Sequence, residues 1–316
     1  MNLDRYRTLM ADVEAGKNGK VGKAIQAGTI RWLLQPMAKG GRSPGGARPS
    51  GANFTGLRIL VTGGSSGIGR AAAHRFAGLG AEVVVVARRI AELDRLCAEI
   101  TESGGMAHAI ACDLTDPESV TALAAEVRTR WSGMDVLVNN AGRSIRRSIT
   151  DSLQRYEQGE PGDRRILHDF ERTMAINYFG AVALTMQLLP AMLERGTGHI
   201  INVGTAGAHM GSMPRYSAYG GSKTALTAFG RSLGAELSSR GIAATTVQFP
   251  LVQTPMIDET EDYRGVPTLA PEAAAEWLVR AIRTRPIALY PRFAALMRAY
   301  SALFPTAADR ALLMAS

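Results

Sequence analysis

Thr62-Gly63-Gly64-Ser65-Ser66-Gly67-Ile68-Gly69 is the stretch whose reading decides the fold. An apolar run, 58–62, leads into it and a helical pattern, 68–79, leads out. Glycines let a backbone turn tightly and approach a ligand closely. The helix start beyond them offers unpaired N–H groups and the positive end of a dipole, the surroundings a pyrophosphate needs. Placed between strand and helix at the start of an α/β unit, such a turn is a strong dinucleotide-binding signal. Outward from it, Val- and Ile-rich runs recur at 82–87, 107–111, 135–139, 199–203, 243–249 and 287–290. Helix-length patterns separate them, for example at 90–103, 117–131 and 223–240. This alternation implies an α/β fold, a doubly wound parallel sheet with helices on both faces. The unbroken Val83–Val86 run fits a strand buried on both sides.

The 316 residues allow one large domain or two small ones. With 46% apolar and 20% charged residues the chain builds a packed core, which excludes wholesale disorder. Two cysteines, Cys97 and Cys112, exclude a disulfide scaffold, and no zinc-type spacing or other metal site is read. The longest purely apolar run, 83–87, is far short of the roughly 20 residues of a membrane span. No basic-then-apolar leader is read at the N-terminus. A cytoplasmic location is the expectation, with peripheral membrane contact as an open addition.

The net charge of +8 is uneven: residues 1–57 hold nine Lys or Arg against three Asp or Glu. Residues 1–38 read as one or two helices, and 39–53 as a Gly/Pro/Ser-rich linker. The division expected is a basic helical extension with linker, 1–56, before a single domain, 57–316. The basic excess belongs to the extension, and no basic stripe with interleaved aromatics or nucleic-acid motif appears, so nucleic acid is not an expected partner.

The run 82–87 ends in Arg88-Arg89. An acidic residue at this point suits a free ribose 2′-hydroxyl, whereas an arginine suits a 2′-phosphate. NADP(H) is therefore expected over NAD(H). Tyr219 and Lys223 stand four apart, so on a helix they share a face. A phenol ordinarily titrates at about 10. A nearby ammonium favours the phenolate.

Taken together, these features resemble the short-chain dehydrogenase/reductase family over roughly 57–290. The motifs are the glycine-rich turn, Asn139-Asn140-Ala141-Gly142, Asn177 in Met-Ala-Ile-Asn-Tyr, and Tyr219-Gly-Gly-Ser-Lys223. The resemblance implies a Rossmann-type fold. It makes Tyr219 the general acid, with Lys223 assisting it and holding the nicotinamide ribose. Asn177 would anchor a water in the proton relay. The family's serine stands thirteen residues before the tyrosine, where this chain has Ala206. Thr205, one position earlier, supplies an equivalent hydroxyl if the following loop is one residue longer. Ser212 is the reserve candidate. The resemblance assigns the cofactor cradle to Gly63, Ser65, Ser66, Gly67, Ile68 and Gly69. Asp113 and Leu114 would border the adenine. Asn140, Ala141 and Gly142 would lie by its ribose, and Pro250, Val252 and Thr254 would reach the carboxamide. Leu251 stands where the family commonly has glycine.

A more specific resemblance is to the long-chain fatty acyl-CoA reductase branch. It is carried by Asn139-Asn-Ala-Gly-Arg-Ser-Ile-Arg-Arg147, Asp169-Phe-Glu-Arg-Thr-Met, Asn177-Tyr-Phe-Gly-Ala-Val, Pro250-Leu-Val-Gln-Thr-Pro-Met and Val266-Pro-Thr-Leu. It implies NADPH-dependent reduction of a lipid-like carbonyl, a fatty acyl-CoA or fatty aldehyde first. The alternatives are a ketone or secondary-alcohol substrate (3-oxoacyl or steroid-like), or cofactor binding without turnover. Arg143, Arg146 and Arg147 are candidates to meet CoA phosphates. The segment 256–269 is the expected lid. Phe293, Leu296, Met297, Tyr300, Leu303 and Phe304 form a helical stripe with four possible uses: acyl channel, membrane contact, core or subunit contact. A homodimer or homotetramer is expected from the family.

Overall fold

The computed structural model describes residues 28–39, 53–159, 166–258 and 266–315. Eight strands form one sheet: β1 (Pro36–Lys39), β2 (Arg58–Thr62), β3 (Glu82–Ala87), β4 (Met106–Ala111), β5 (Val136–Asn139), β6 (Gly198–Thr205), β7 (Ile242–Phe249) and β8 (Ala288–Pro291). Their order is β1-β8-β7-β6-β5-β2-β3-β4, parallel except for β1. All seven apolar runs expected to be strands are strands, within one or two residues at their ends.

The helices are α1 (Gly67–Ala77), α2 (Ile90–Glu102), α3 (Pro117–Trp131), α4 (Ile149–Gln158), α5 (His168–Met174), α6 (Gly180–Glu194), α7 (Ser217–Leu237), α8 (Pro255–Asp258), α9 (Pro271–Thr284), α10 (Arg292–Leu303) and α11 (Pro305–Ala315). A π-helical turn, Ala175–Phe179, joins α5 to α6. The helix run His168–Glu194 is long and apolar enough to cross a membrane by length and composition. Its Leu184, Leu188, Leu189 and Met192 are instead buried in the core.

Alternation along each strand divides the core in two, because successive strand side chains point to opposite faces. Ile59, Val61, Val83 and Val85 pack with Phe76 of α1, Leu93 and Leu96 of α2 and Trp277 of α9. Leu60, Val84, Leu137 and Ile200 pack with Leu123 of α3, Leu188 of α6 and Leu233 of α7. Burying each such side chain contributes about 1.5–3 kcal/mol. The doubly wound reading is therefore correct. The sheet order reverses between β2 and β5, the switch point at which open α/β sheets bind ligands.

The helical reading of 1–38 fails at its end. Residues 28–34 are helical, but Pro36–Lys39 is a strand, paired antiparallel to β8. Pro36 lacks the N–H that would continue the helix. Arg280 donates to the Pro36 carbonyl at 3.1 Å, and the Arg292 guanidinium lies 4.5 Å from the Trp32 ring centre. Residues 1–27 and 40–52, which carry most of the expected extension and linker, lie outside the described residues. The helix expected at 223–240 begins six residues earlier, at Ser217. Gly220 and Gly221 are weak helix formers, but Gly220 packs against the Met213 side chain, and that tertiary contact outweighs propensity.

Candidate active site

A cleft of about 1070 Å³ opens at the C-terminal ends of the strands. The β2–α1 turn forms one wall. Gly63 and Gly67 adopt φ of +68° and +55°, which side chains rarely tolerate. A Cβ on Gly63 would stand 2.9 Å from the Ala141 Cα, and one on Gly67 2.9 Å from the Thr254 side chain. Gly69 does not line the cleft. It lets α1 lie on the turn, since its Cβ would clash with the Gly63 carbonyl. The α1 N-terminus has no side-chain cap and no acidic residue in its first turn. Its free N–H groups suit an anion.

Asn140 ties this wall to the β5 loop. Its Nδ2 donates to the Thr62 carbonyl at 2.8 Å, and its N–H and that of Ala141 both donate to the Thr62 hydroxyl at 3.0 Å. Ser65, Ser66, Ile68, Ala141 and Gly142 line the cleft, as do Pro250, Val252 and Thr254 on the β7 side. Arg88 and Arg89 line it at the end of β3, and Arg89 donates to the Ser65 hydroxyl at 3.3 Å. Asp113 and Leu114 follow β4. Partial burial works to raise the Asp113 pKa, but the Thr115 N–H and hydroxyl, together with Arg88, outweigh it and leave it lowered. A glycine cradle, an uncapped helix start and two arginines in one cleft fit a phosphorylated dinucleotide.

Tyr219, Lys223 and Thr205 meet in the same cleft. Small residues bring α7 close to the sheet: a Cβ on Gly230 would stand 2.5 Å from the Asn202 amide nitrogen. This closeness lets the buried Lys223 ammonium donate to the Val203 carbonyl at 2.9 Å. Burial without a counter-charge lowers its pKa to about 8. Two of its three donors remain for a ligand. Thr205 ends β6, and its hydroxyl accepts from the Gly207 N–H at 3.4 Å.

Asn177 is fully buried in the π turn and does not line the cleft. Its Oδ1 accepts from the Arg143 N–H at 2.7 Å. Its Nδ2 donates to the Arg143 carbonyl and to the Ser222 hydroxyl, both at 2.9 Å. The side chain therefore spends both its donors locking the β5 loop to α7. Ser222 donates in turn to the Tyr219 carbonyl at 2.7 Å. A π turn often marks a functional site, and here it aims this amide. Gly142 sits at the junction: its Cβ would stand 2.9 Å from Asn177 Oδ1 and 3.2 Å from Lys223 Nζ.

Two further candidates, like Gly69 and Asn177, lie off the cleft. Ser212 does not line the cleft; its hydroxyl donates to the Asp309 carboxylate of α11. Arg147 does not line it either, because the buried Asp169 carboxylate holds its guanidinium in an ion pair at 2.5 Å. Arg143 and Arg146 do line the cleft. Sequence reasoning did not single out Arg172, Tyr216 or Ile176, which also line it. Ile176 and Arg172 share the α5–π run with Asn177, and that placement was their only signal. In the expected lid, Met256 and Ile257 line the cleft, while Leu269 pairs with the backbone of Leu251 and Gln253. Residues 259–265 lie outside the described residues.

A family model for short chain dehydrogenase matches residues 58–264. A Mycobacterium tuberculosis protein named as a fatty acyl-CoA reductase is 44% identical over 284 residues, which is 87% of this chain and 93% of that protein. A fatty acyl-CoA reductase from Acinetobacter baylyi is 45% identical over 234 residues, covering 74% and 75%. Among solved structures, L-sorbose reductase from Gluconobacter frateurii, complexed with NADPH and L-sorbose, is similar at a TM-score of 0.63. It is 27% identical and covers 74% of this chain and 92% of that one.

Proposed function

The chain belongs to the short-chain dehydrogenase/reductase family, and from that premise we propose that it reduces a lipid-like carbonyl with NADPH, a fatty acyl-CoA or fatty aldehyde first. The observation that carries the reading is the convergence of Tyr219, Thr205 and Lys223 opposite the glycine turn, with Arg88 and Arg89 at the far end of one cleft. The arginine pair supports NADPH over NADH, since a guanidinium matches a 2′-phosphate in geometry and charge. The relatives named above support the substrate class. Apolar side chains of Ile176, Leu251, Met256 and Ile257 line the same cleft and suit an acyl chain.

When bound, the dinucleotide supplies hydride. The Tyr219 and Thr205 hydroxyls hold the substrate carbonyl oxygen and stabilise the charge that develops there. Tyr219 gives that oxygen its proton. Lys223 places a fixed positive charge beside this proton transfer and binds the ribose with its two free donors. Asn177 keeps the Gly142–Arg143 backbone and α7 in register, so these groups act on one point. With a thioester, one hydride and one further proton are consumed. As the hemithioacetal collapses the carbon–sulfur bond breaks, the proton placed on the oxygen is passed on to the leaving sulfur, and the products are the aldehyde and CoA thiol.

The test is oxidation of NADPH and of NADH by purified protein with a long-chain acyl-CoA, the matching aldehyde, a 3-oxoacyl thioester and a steroid ketone. The reading predicts NADPH oxidation with the acyl-CoA, matched by free thiol. Oxidation with ketones alone would overturn the substrate class, and equal use of NADH would overturn the cofactor. Arg88→Ala with Arg89→Ala is expected to raise the KM for NADPH by about tenfold or more while sparing NADH, the loss of one charge-assisted contact.

A further inference from the structure

We propose that Arg143 and Arg172 form a phosphate-binding subsite for the carrier part of the substrate, in addition to the Arg88–Arg89 pair. This rests on the acyl-CoA reading above and names what recognises the CoA half.

The cleft is lined by five arginines and one lysine, with Asp113 as its one carboxylate among the described residues. Asp113 is already engaged by Thr115 and faces Arg88. The neighbouring arginines have other work: Arg147 pairs with Asp169, and Arg155 lies 3.9 Å from the same carboxylate. Arg143 and Arg172 pair with no carboxylate among the described residues. Among the described residues, the hydrogen bond of the Arg172 guanidinium is to the His168 ring, at 3.2 Å.

Both arginines stand on rigid supports. The Arg143 backbone is held on both its N–H and its carbonyl by Asn177. Arg172 lies in α5, one turn before the π segment whose Ala175 and Ile176 also line the cleft. Burial and the fields of Arg172 and Arg88 act together to lower the Arg143 pKa. Like charges brought together in a partly desolvated cleft destabilise the ligand-free protein. A phosphate dianion removes that strain and accepts both guanidinium forks. Free fatty aldehydes carry no such group, so the subsite discriminates between carrier-bound and free substrates.

Phosphate also comes with the cofactor, and the test separates the two sources. Free CoA and NADPH binding are measured by calorimetry for the wild type and for Arg143→Gln with Arg172→Gln. The ratio of kcat/KM for acyl-CoA to that for the matching aldehyde is measured alongside. Glutamine keeps the side-chain length near the backbone and leaves the Asn177 bonds intact; circular dichroism checks the fold. The proposal predicts a CoA affinity at least tenfold weaker, with a smaller change for NADPH, and at least a tenfold fall in the acyl-CoA preference. Unchanged CoA affinity overturns it, as does a loss that falls mainly on NADPH. If CoA binds in an arginine-dependent way but only aldehydes are reduced, the subsite stands and the thioester reading falls. If thioesters are reduced and the variant keeps their KM, the subsite falls and the reading stands.

Discussion

Gly142 shows how little room the reacting centre has. An added methyl would press on Asn177 and on the Lys223 ammonium, and neither is free to swing away, since each is held by hydrogen bonds. Gly142→Ala is expected to lower kcat by at least about tenfold, because small misplacements of catalytic groups are expensive. Its thermal midpoint should fall only modestly; wild-type turnover in this variant would contradict the packing argument. Lys223 makes a second prediction. Its folded pKa, about 8, lies below the ordinary 10.5. Between those values the unfolded chain holds a proton the folded chain has released, so stability rises with pH across that window. Below about 8 the buried charge is a full penalty. Lys223→Met should therefore be more stable than wild type at pH 7, by on the order of 2 kcal/mol once the lost bond to Val203 is counted. Urea melts of ligand-free protein should show that gap shrinking toward pH 10; a widening gap would reverse the sign. Tyr219 and Lys223 were legible in the sequence because a spacing of four on a helix survives any folding detail, whereas Thr205 stands one position off the family's spacing and shared its candidacy with Ser212 until the fold placed it in the cleft. Arg172 and the structural duty of Asn177 were not, because both depend on which loop α5 meets.

At the scale of elements, α7 illustrates two effects of opposite sign. Helix propensity alone makes Gly230→Ala stabilising by about 1 kcal/mol. The Cβ, however, would stand 2.5 Å from the Asn202 amide, which is buried in β6. Overpacking of this kind is destabilising by about 1–3 kcal/mol, so the net prediction is a less stable protein with α7 lifted and activity reduced. A chemical melt decides it: a raised midpoint would mean that α7 does not rest on the sheet as described. The central strands were readable because they are buried on two faces and therefore largely apolar, as in Val83–Val86. The π turn was not readable. Residues 175–179 carry no composition that separates them from ordinary helix, and the fifth-residue bond from Gly180 to Ala175 is a product of tertiary fit.

For the whole molecule, the sheet has one antiparallel edge, where β1 covers β8. Four residues, Pro36-Met-Ala-Lys39, contain a proline and a lysine and show no strand signal of their own; they are a strand because β8 offers them an edge. Unpaired edges invite pairing between chains. Removing residues 1–52 is therefore expected to lower the thermal midpoint and increase self-association, read by sedimentation velocity. An unchanged midpoint and unchanged sedimentation would show that β1 is dispensable.

The most direct measurement of the central claim is the comparison of wild type with Tyr219→Phe. Binding of NADPH is followed by fluorescence, and its oxidation with a long-chain acyl-CoA or the matching aldehyde is followed by absorbance. The account predicts that the variant binds NADPH with wild-type affinity within about threefold, since it loses no charged contact, and loses turnover by at least about a hundredfold, the usual share of a positioned general acid. Near-wild-type turnover in Tyr219→Phe, or no turnover by the wild type with any carbonyl despite bound NADPH, would contradict it.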